Sequence, residues 1–170
     1  MNRNYVLLLG FVFLISACGF HLRGSTDAAL ELPVVYVQSQ GADALAAQII
    51  QRLNDAGVST TENREDAELL VKVRNESFDR RVLAVSAQTG KVEEYQLGYR
   101  VNLSVARSDG NVLIKDQQIG VVKDLTFDGT DVLGKFNEAG VVDDDMRREA
   151  ATLILRRLQA IQKFAVLVTE

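Results

Sequence analysis

One cysteine, one histidine and one proline occur in 170 residues, and each scarcity closes off a class of protein. A single thiol, Cys18, permits no intramolecular disulfide. A lone imidazole, His21, rules out a histidine metal cluster. A Ser-His-Asp triad would have to borrow that same residue, three positions beyond Cys18, so no catalytic constellation is in sight and the chain reads as a non-enzyme. With one proline and no serine- or glycine-rich linker, nothing marks a domain boundary, and no repeat or low-complexity tract is present. Basic residues are also in the minority, 19 Lys and Arg against 23 Asp and Glu. That balance argues against a nucleic-acid binder but leaves room for a local basic patch. Long apolar runs are missing as well, except at the very start.

That start is distinctive. Arg3 supplies a positive charge, and Tyr5 to Ile15 is almost unbroken apolar sequence, too short to span a bilayer comfortably. Ser16 and Ala17, small enough for a signal-peptidase pocket, come next, and then Cys18. A branched aliphatic residue, two small residues and a cysteine resemble the bacterial lipobox. The resemblance implies cleavage before Cys18, an S-diacylglycerol on its sulfur and an N-acyl group on its new amine. No other cofactor is expected. Each buried methylene of such chains contributes ~0.8 kcal/mol, so one chain anchors marginally and three anchor stably. Gly19 stands where inner-membrane retention signals place Asp, which implies sorting to the outer membrane. The expected division is a signal peptide at 1–17, a lipidated tether at 18–30 and one domain at 31–170. Without its first 17 residues the chain keeps 153, enough for one proper core.

Along that domain, Val34 to Val37 follows Pro33 and predicts a strand over 33–38. Leu45, Ile49, Leu53 and Ala56 form an apolar stripe at helical spacing, with Asp43 as the expected N-cap and Gly57 as the stop. A strand, a helix and a further strand make a crossover unit, so the two strands should be parallel. Leu69, Val71 and Val73 alternate, and the phase slips before Phe78, which predicts a bulge or bend in a long strand. After the turn Gln88-Thr89-Gly90-Lys91, residues 97–105 give the cleanest period-two pattern of the chain. Ser108-Asp109-Gly110-Asn111 is a hairpin signal, and the next strand should run from Val112 to Leu125.

Residues 126–140 read as loop. Asp143-Asp144-Asp145 then precedes a helical stripe of Met146, Ala150, Leu153, Ile154, Leu158 and Ile161. Three acids there suit a helix N-terminus better than calcium, because alternate-position ligands and a central glycine are missing. The apolar tail from Phe164 to Val168 fits either more helix or a short strand. The sum is an α+β domain with two helices packed on one face of a mixed four-stranded β-sheet. The other face, bearing Arg100, Asn102 and Ser104, would be left without helices.

The segment Cys18-Gly-Phe-His-Leu-Arg-Gly24 resembles the mature start of the LptE family of LPS-assembly lipoproteins. The element order and Glu94-Tyr95-Gln96 at the head of the third strand agree. The resemblance implies a one-to-one complex with an LptD-like outer-membrane β-barrel, a place as a plug inside its lumen, and contact with lipopolysaccharide. A small body with polar outer faces suits a water-lined barrel. The family places cations near the hairpin and after the last strand. Lys135 falls at the second place. Gln88 stands at the first, so Lys91, with Arg80 and Arg81 further down the strand, is the substitute. Ammonium and guanidinium groups suit lipid phosphates, since charge-assisted bonds are the strong ones. The alternative is a generic outer-membrane lipoprotein scaffolding another envelope complex or peptidoglycan.

Overall fold

The structure is a computed structural model that describes residues 30–126 and 135–167, the side chains of 135–139 and 163–167 excepted. The lipobox, Cys18 and His21 lie outside the described residues. Strand β1 (Val35–Gln40) leads into helix α1 (Asp43–Asp55), a two-residue strand β2 (Thr60–Thr61) and a 3-10 turn (Arg64–Asp66). Three long strands follow, β3 (Leu69–Val85), β4 (Val92–Arg107) and β5 (Val112–Thr126), and helix α2 (Lys135–Leu167) closes the described chain.

The sheet order is β2-β1-β3-β4-β5, so the sheet has five strands where the sequence predicts four. The extra strand is Thr60–Thr61, parallel to Val35 and Tyr36 at one edge. Two residues carry no period of two, and this pairing follows instead from the turn after α1. β1 and β3 are parallel, as a helical crossover requires, and β3, β4 and β5 form an antiparallel meander.

Helix α1 ends in a Schellman motif. Gly57, at φ +80, lets its own N–H reach the Asn54 carbonyl and lets Val58 N–H reach that of Leu53. At its start the helix departs from expectation: Asp43 is the first helical residue, not the cap. Ala42 holds the cap position, its N–H donating to Ser39 Oγ at 3.2 Å. Asp43 still favours the helix from there, close to the positive end of its dipole.

Helix α2 begins at Lys135, well before Asp143, so part of the expected loop is helix and the three acids lie inside it. Two of them pair with cations rather than cap: Asp144 bonds Arg147, and Asp145 pairs with Lys123 of β5. At the other end the apolar tail continues the helix to Leu167.

Both helices pack on one face of the sheet. Leu45, Ile49 and Leu53 of α1, and Met146, Ile154 and Leu158 of α2, are fully buried against Val35, Val71, Val73, Tyr99, Val101, Leu103 and Ile119. Truncating one of these side chains to Ala should cost about 2–5 kcal/mol. Arg52 Nη1 reaches Thr152 Oγ1 at 2.7 Å and joins the two helices. The phase slip in β3 is a bulge: Arg74 pairs with Asn102, but Ser77 is the next to pair, with Arg100. Asn75 sits there at φ +56, and the added residue turns Glu76 and Phe78 toward the helices.

Candidate functional site: an open sheet face and a long hairpin

Successive residues of a strand point to opposite faces, so the registers of the meander assign each polar side chain to a side. On the helix side, Lys123 of β5 pairs with Asp145 and, at 3.6 Å, with Glu149 of α2. These partners hold the lysine above its ordinary pKa, and Lys123 in turn holds the Asp145 carboxyl below its own. Arg147 of α2 donates from Nε to Glu76 at 2.8 Å and stacks over the Phe78 ring at 5.3 Å. Phe78 meets Tyr99 edge-on at 4.9 Å. Burial, and then the neighbouring Glu76 carboxylate, push the Tyr99 phenol well above the usual tyrosine range.

Among the described residues, the opposite face carries no helix. Across it run polar rungs: Arg74 bonds Asp116 at 2.7 Å, Asn102 donates to Asp116, and Arg100 bonds Asp79 at 2.9 Å. Asp116 is held below the usual carboxylate range, chiefly by its bond from Arg74. Asp79 lies over Gly98, where an added Cβ would stand 2.7 Å from the carboxylate oxygen. Further along, Arg81 donates to Gln96 at 2.7 Å, and Gln96 to Asp124 at 3.0 Å.

Toward the hairpin tip the helices give out, and large apolar side chains become exposed. Val82, Leu83 and Val85 of β3 lie there, while Val122, 63% exposed, pairs with Gly98 on the open face and Phe78 is partly covered by Arg147. Gly90 at φ +68 makes the tip turn, where Ser86 N–H bonds the Lys91 carbonyl and Lys91 N–H bonds Thr89 Oγ1.

The four cations singled out from sequence are dispersed. Arg80 and Arg81, adjacent in β3, project to opposite faces. Arg80 stacks on Tyr95 at 5.4 Å, and Arg81 belongs to the glutamine rung. Lys91 is exposed at the tip, beyond the end of β3 and about 16 Å or more from Arg80 at the rise of an extended strand. Lys135 opens α2, and its side chain lies outside the described residues. Sequence reasoning passed over a second polar group, formed by Lys72 of β3 and Arg64 of the 3-10 turn at the proximal end of the open face. Among the described residues no cluster of His, Cys, Asp and Glu fit for a metal ion occurs, and no helix is long and apolar enough to cross a membrane.

The chain is 30% identical over 164 residues to the LPS-assembly lipoprotein LptE of Photorhabdus laumondii, covering 94% of this chain and 87% of that one. It is 29% identical over the same length to the protein of that name from Pectobacterium atrosepticum, again covering 94% and 87%. The solution structure of an uncharacterized lipoprotein B from Nitrosomonas europaea superposes with a TM-score of 0.69 at 25% identity, over 85% of this chain and 93% of that one. The rare lipoprotein B of Shewanella oneidensis shares the fold, with a TM-score of 0.65 at 24% identity over 81% and 99% of the two chains. The LptE lipopolysaccharide-assembly family model matches residues 32–158, most of the described body, and the chain therefore belongs to the LptE family.

Proposed function

We propose that this chain is an outer-membrane lipoprotein that joins an LptD-like β-barrel one to one, plugs its lumen from the periplasmic side, helps it assemble, and binds lipopolysaccharide during delivery to the outer leaflet. The carrying observation is the family match over residues 32–158, supported by relatives named LPS-assembly lipoproteins. Family membership also carries the non-enzymatic reading, since the family acts in assembly. Residues 1–17 are removed, Cys18 takes the lipid, residues 18–30 tether, and 31–170 form the single domain.

The geometry fits the task in two respects. A slab with one face closed by helices and the other faced with polar rungs tolerates a wet lumen on its open side. The apolar side chains left bare toward the tip, Val82, Leu83 and Val85, give a partner protein something dry to bury. Lys91 at the tip and Lys135 at the start of α2 are the proposed lipopolysaccharide contacts, with Arg80 and Arg81 secondary because each already has a partner within the sheet.

Two measurements test this. Extraction in mild detergent should recover the barrel with the lipoprotein, and charge reversal of Lys91 and Lys135 together should weaken lipopolysaccharide binding without disturbing fold or barrel. Unchanged lipopolysaccharide binding would remove those two lysines from the site.

A further inference from the structure

Two rungs of the open face stand apart from the rest. Tyr36, Leu70 and Ala106 lie side by side on β1, β3 and β4, and Gln38, Lys72 and Ser104 form the next rung on the same face. Arg64, from the 3-10 turn, completes the rim of a depression of about 180 Å³ lined by these seven residues. The rim is rich in donors: a guanidinium, an ammonium, a phenol, an amide and a hydroxyl. Among the described residues, no carboxylate lines it. Elsewhere on this face Arg74 and Arg100 each hold an acid, at 2.7 and 2.9 Å. Lys72 and Arg64 are in no ion pair among the described residues, although Glu65 and Asp66 share the turn with Arg64. A chain with more acids than bases thus has two cations lining one hollow of this face, with no acid among the described residues lining it.

We infer that this depression is a binding subsite for a single sugar ring carrying a phosphate or carboxylate. Its volume is below the ~300 Å³ at which ordinary ligand pockets begin, so one ring fits and an extended acyl chain does not. Leu70 and Ala106 supply apolar lining, and Tyr36 supplies an aromatic ring suited to the C–H face of a sugar. Gln38 and Ser104 offer hydrogen bonds to its hydroxyls, and Lys72 and Arg64 take the anion, where charge-assisted bonds are about twice as strong as neutral ones. The subsite stands on its own residues. Only its assignment to the saccharide of a glycolipid, rather than to a free sugar phosphate, rests on the function proposed above.

The test is a titration of the full-length protein in detergent micelles, followed through the backbone amide signals of Tyr36, Leu70, Lys72 and Ala106. The probes are glucose 1-phosphate, glucose, inorganic phosphate and purified lipopolysaccharide. Glucose 1-phosphate should give saturable shifts at these amides, about tenfold tighter than glucose or inorganic phosphate, since a tenfold change is the usual scale of one good polar contact. The double variant Arg64→Gln, Lys72→Gln should lose about tenfold in that affinity, and its amide spectrum elsewhere reports that the fold is kept. The Lys91 and Lys135 charge reversal should leave glucose 1-phosphate binding unchanged, so failure of the lipopolysaccharide contacts is read separately. Displacement of glucose 1-phosphate by lipopolysaccharide supports a glycolipid source; saturable binding without displacement supports the subsite and overturns that source. Absence of saturable shifts at the four amides, equal affinity for inorganic phosphate, or a double variant that binds like the parent would overturn the subsite.

Discussion

Arg147 Nε lies 2.8 Å from Glu76 Oε1, and this pair ties the middle of the last helix to the bulge of the longest strand. Both side chains are mostly buried, 15% and 11% exposed, so the bond is shielded from solvent. Removing one partner leaves the other charge stranded, which typically costs about 3–5 kcal/mol. Arg147→Ala should fall at the upper end, because the stack on Phe78 is lost with it. Replacing both residues, Glu76→Gln with Arg147→Met, should cost less than the two single changes together. Urea denaturation of the four proteins of this cycle measures the coupling; additive costs would show that the pair does not couple helix to bulge.

Tyr99 makes the alkaline side of the stability curve informative. Its folded pKa lies well above the ordinary value near 10, because burial and the Glu76 charge oppose ionisation. Above that ordinary value the unfolded chain releases a proton that the folded chain keeps, so stability should fall as pH rises past about 10. Tyr99→Phe should flatten that fall. It should cost little at neutral pH, since the buried hydroxyl has no well-formed hydrogen bond among the described residues. Thermal melts of both proteins between pH 8 and about 11 decide the matter.

Acid should expose the bridge between β5 and α2. Lys123 depresses the Asp145 pKa, so the pair stabilises the fold at pH values above the unfolded carboxyl value near 4, and that contribution is lost as pH falls through the depressed folded value. Asp145→Asn should therefore be less stable than the parent at neutral pH and should converge with it in acid. Parallel, non-converging melting curves would mean the bridge adds nothing measurable, as exposed pairs often do.

Asn75 occupies the left-handed region at the bulge, φ +56. Asn75→Gly should be tolerated or mildly stabilising in the folded state, whereas Asn75→Val should cost about 1–2 kcal/mol, the usual penalty for a Cβ-branched residue in that region. Chemical denaturation gives both values.

Much of this fold was legible because its signals are local. The alternation of Leu97, Tyr99, Val101, Leu103 and Val105 reappears as five buried side chains on one face of β4. The stripe of Leu45, Ile49 and Leu53 reappears on the inner side of α1, and the phase slip after Val73 is the bulge at Asn75. What escaped is what sequence cannot hold in one window. Thr60–Thr61 is too short to show a period, and it is strand only because Val35 and Tyr36 run beside it. The early start of α2 was hidden by Gly140, a poor helix former that the longer helix accommodates with open space around it. Glu76 and Arg147 are far apart in sequence, and nothing local pairs them. The hollow at Lys72 and Arg64 draws on β1, β3, β4 and a turn, so only the sheet register brings it together. The four cations that the sequence suggests come from one stretch and one loop, and adjacency in β3 separates Arg80 from Arg81 rather than joining them.

The most direct measurement is co-purification. The full-length chain with a C-terminal tag is extracted from outer membranes in mild detergent, and the eluate is weighed for stoichiometry. One large β-barrel per lipoprotein is the predicted result, and it should be weakened by Val82→Asp with Val85→Asp at the bare end of the hairpin. Elution alone, or with a peptidoglycan or other envelope partner in place of a barrel, would contradict the plug and leave only the family's fold.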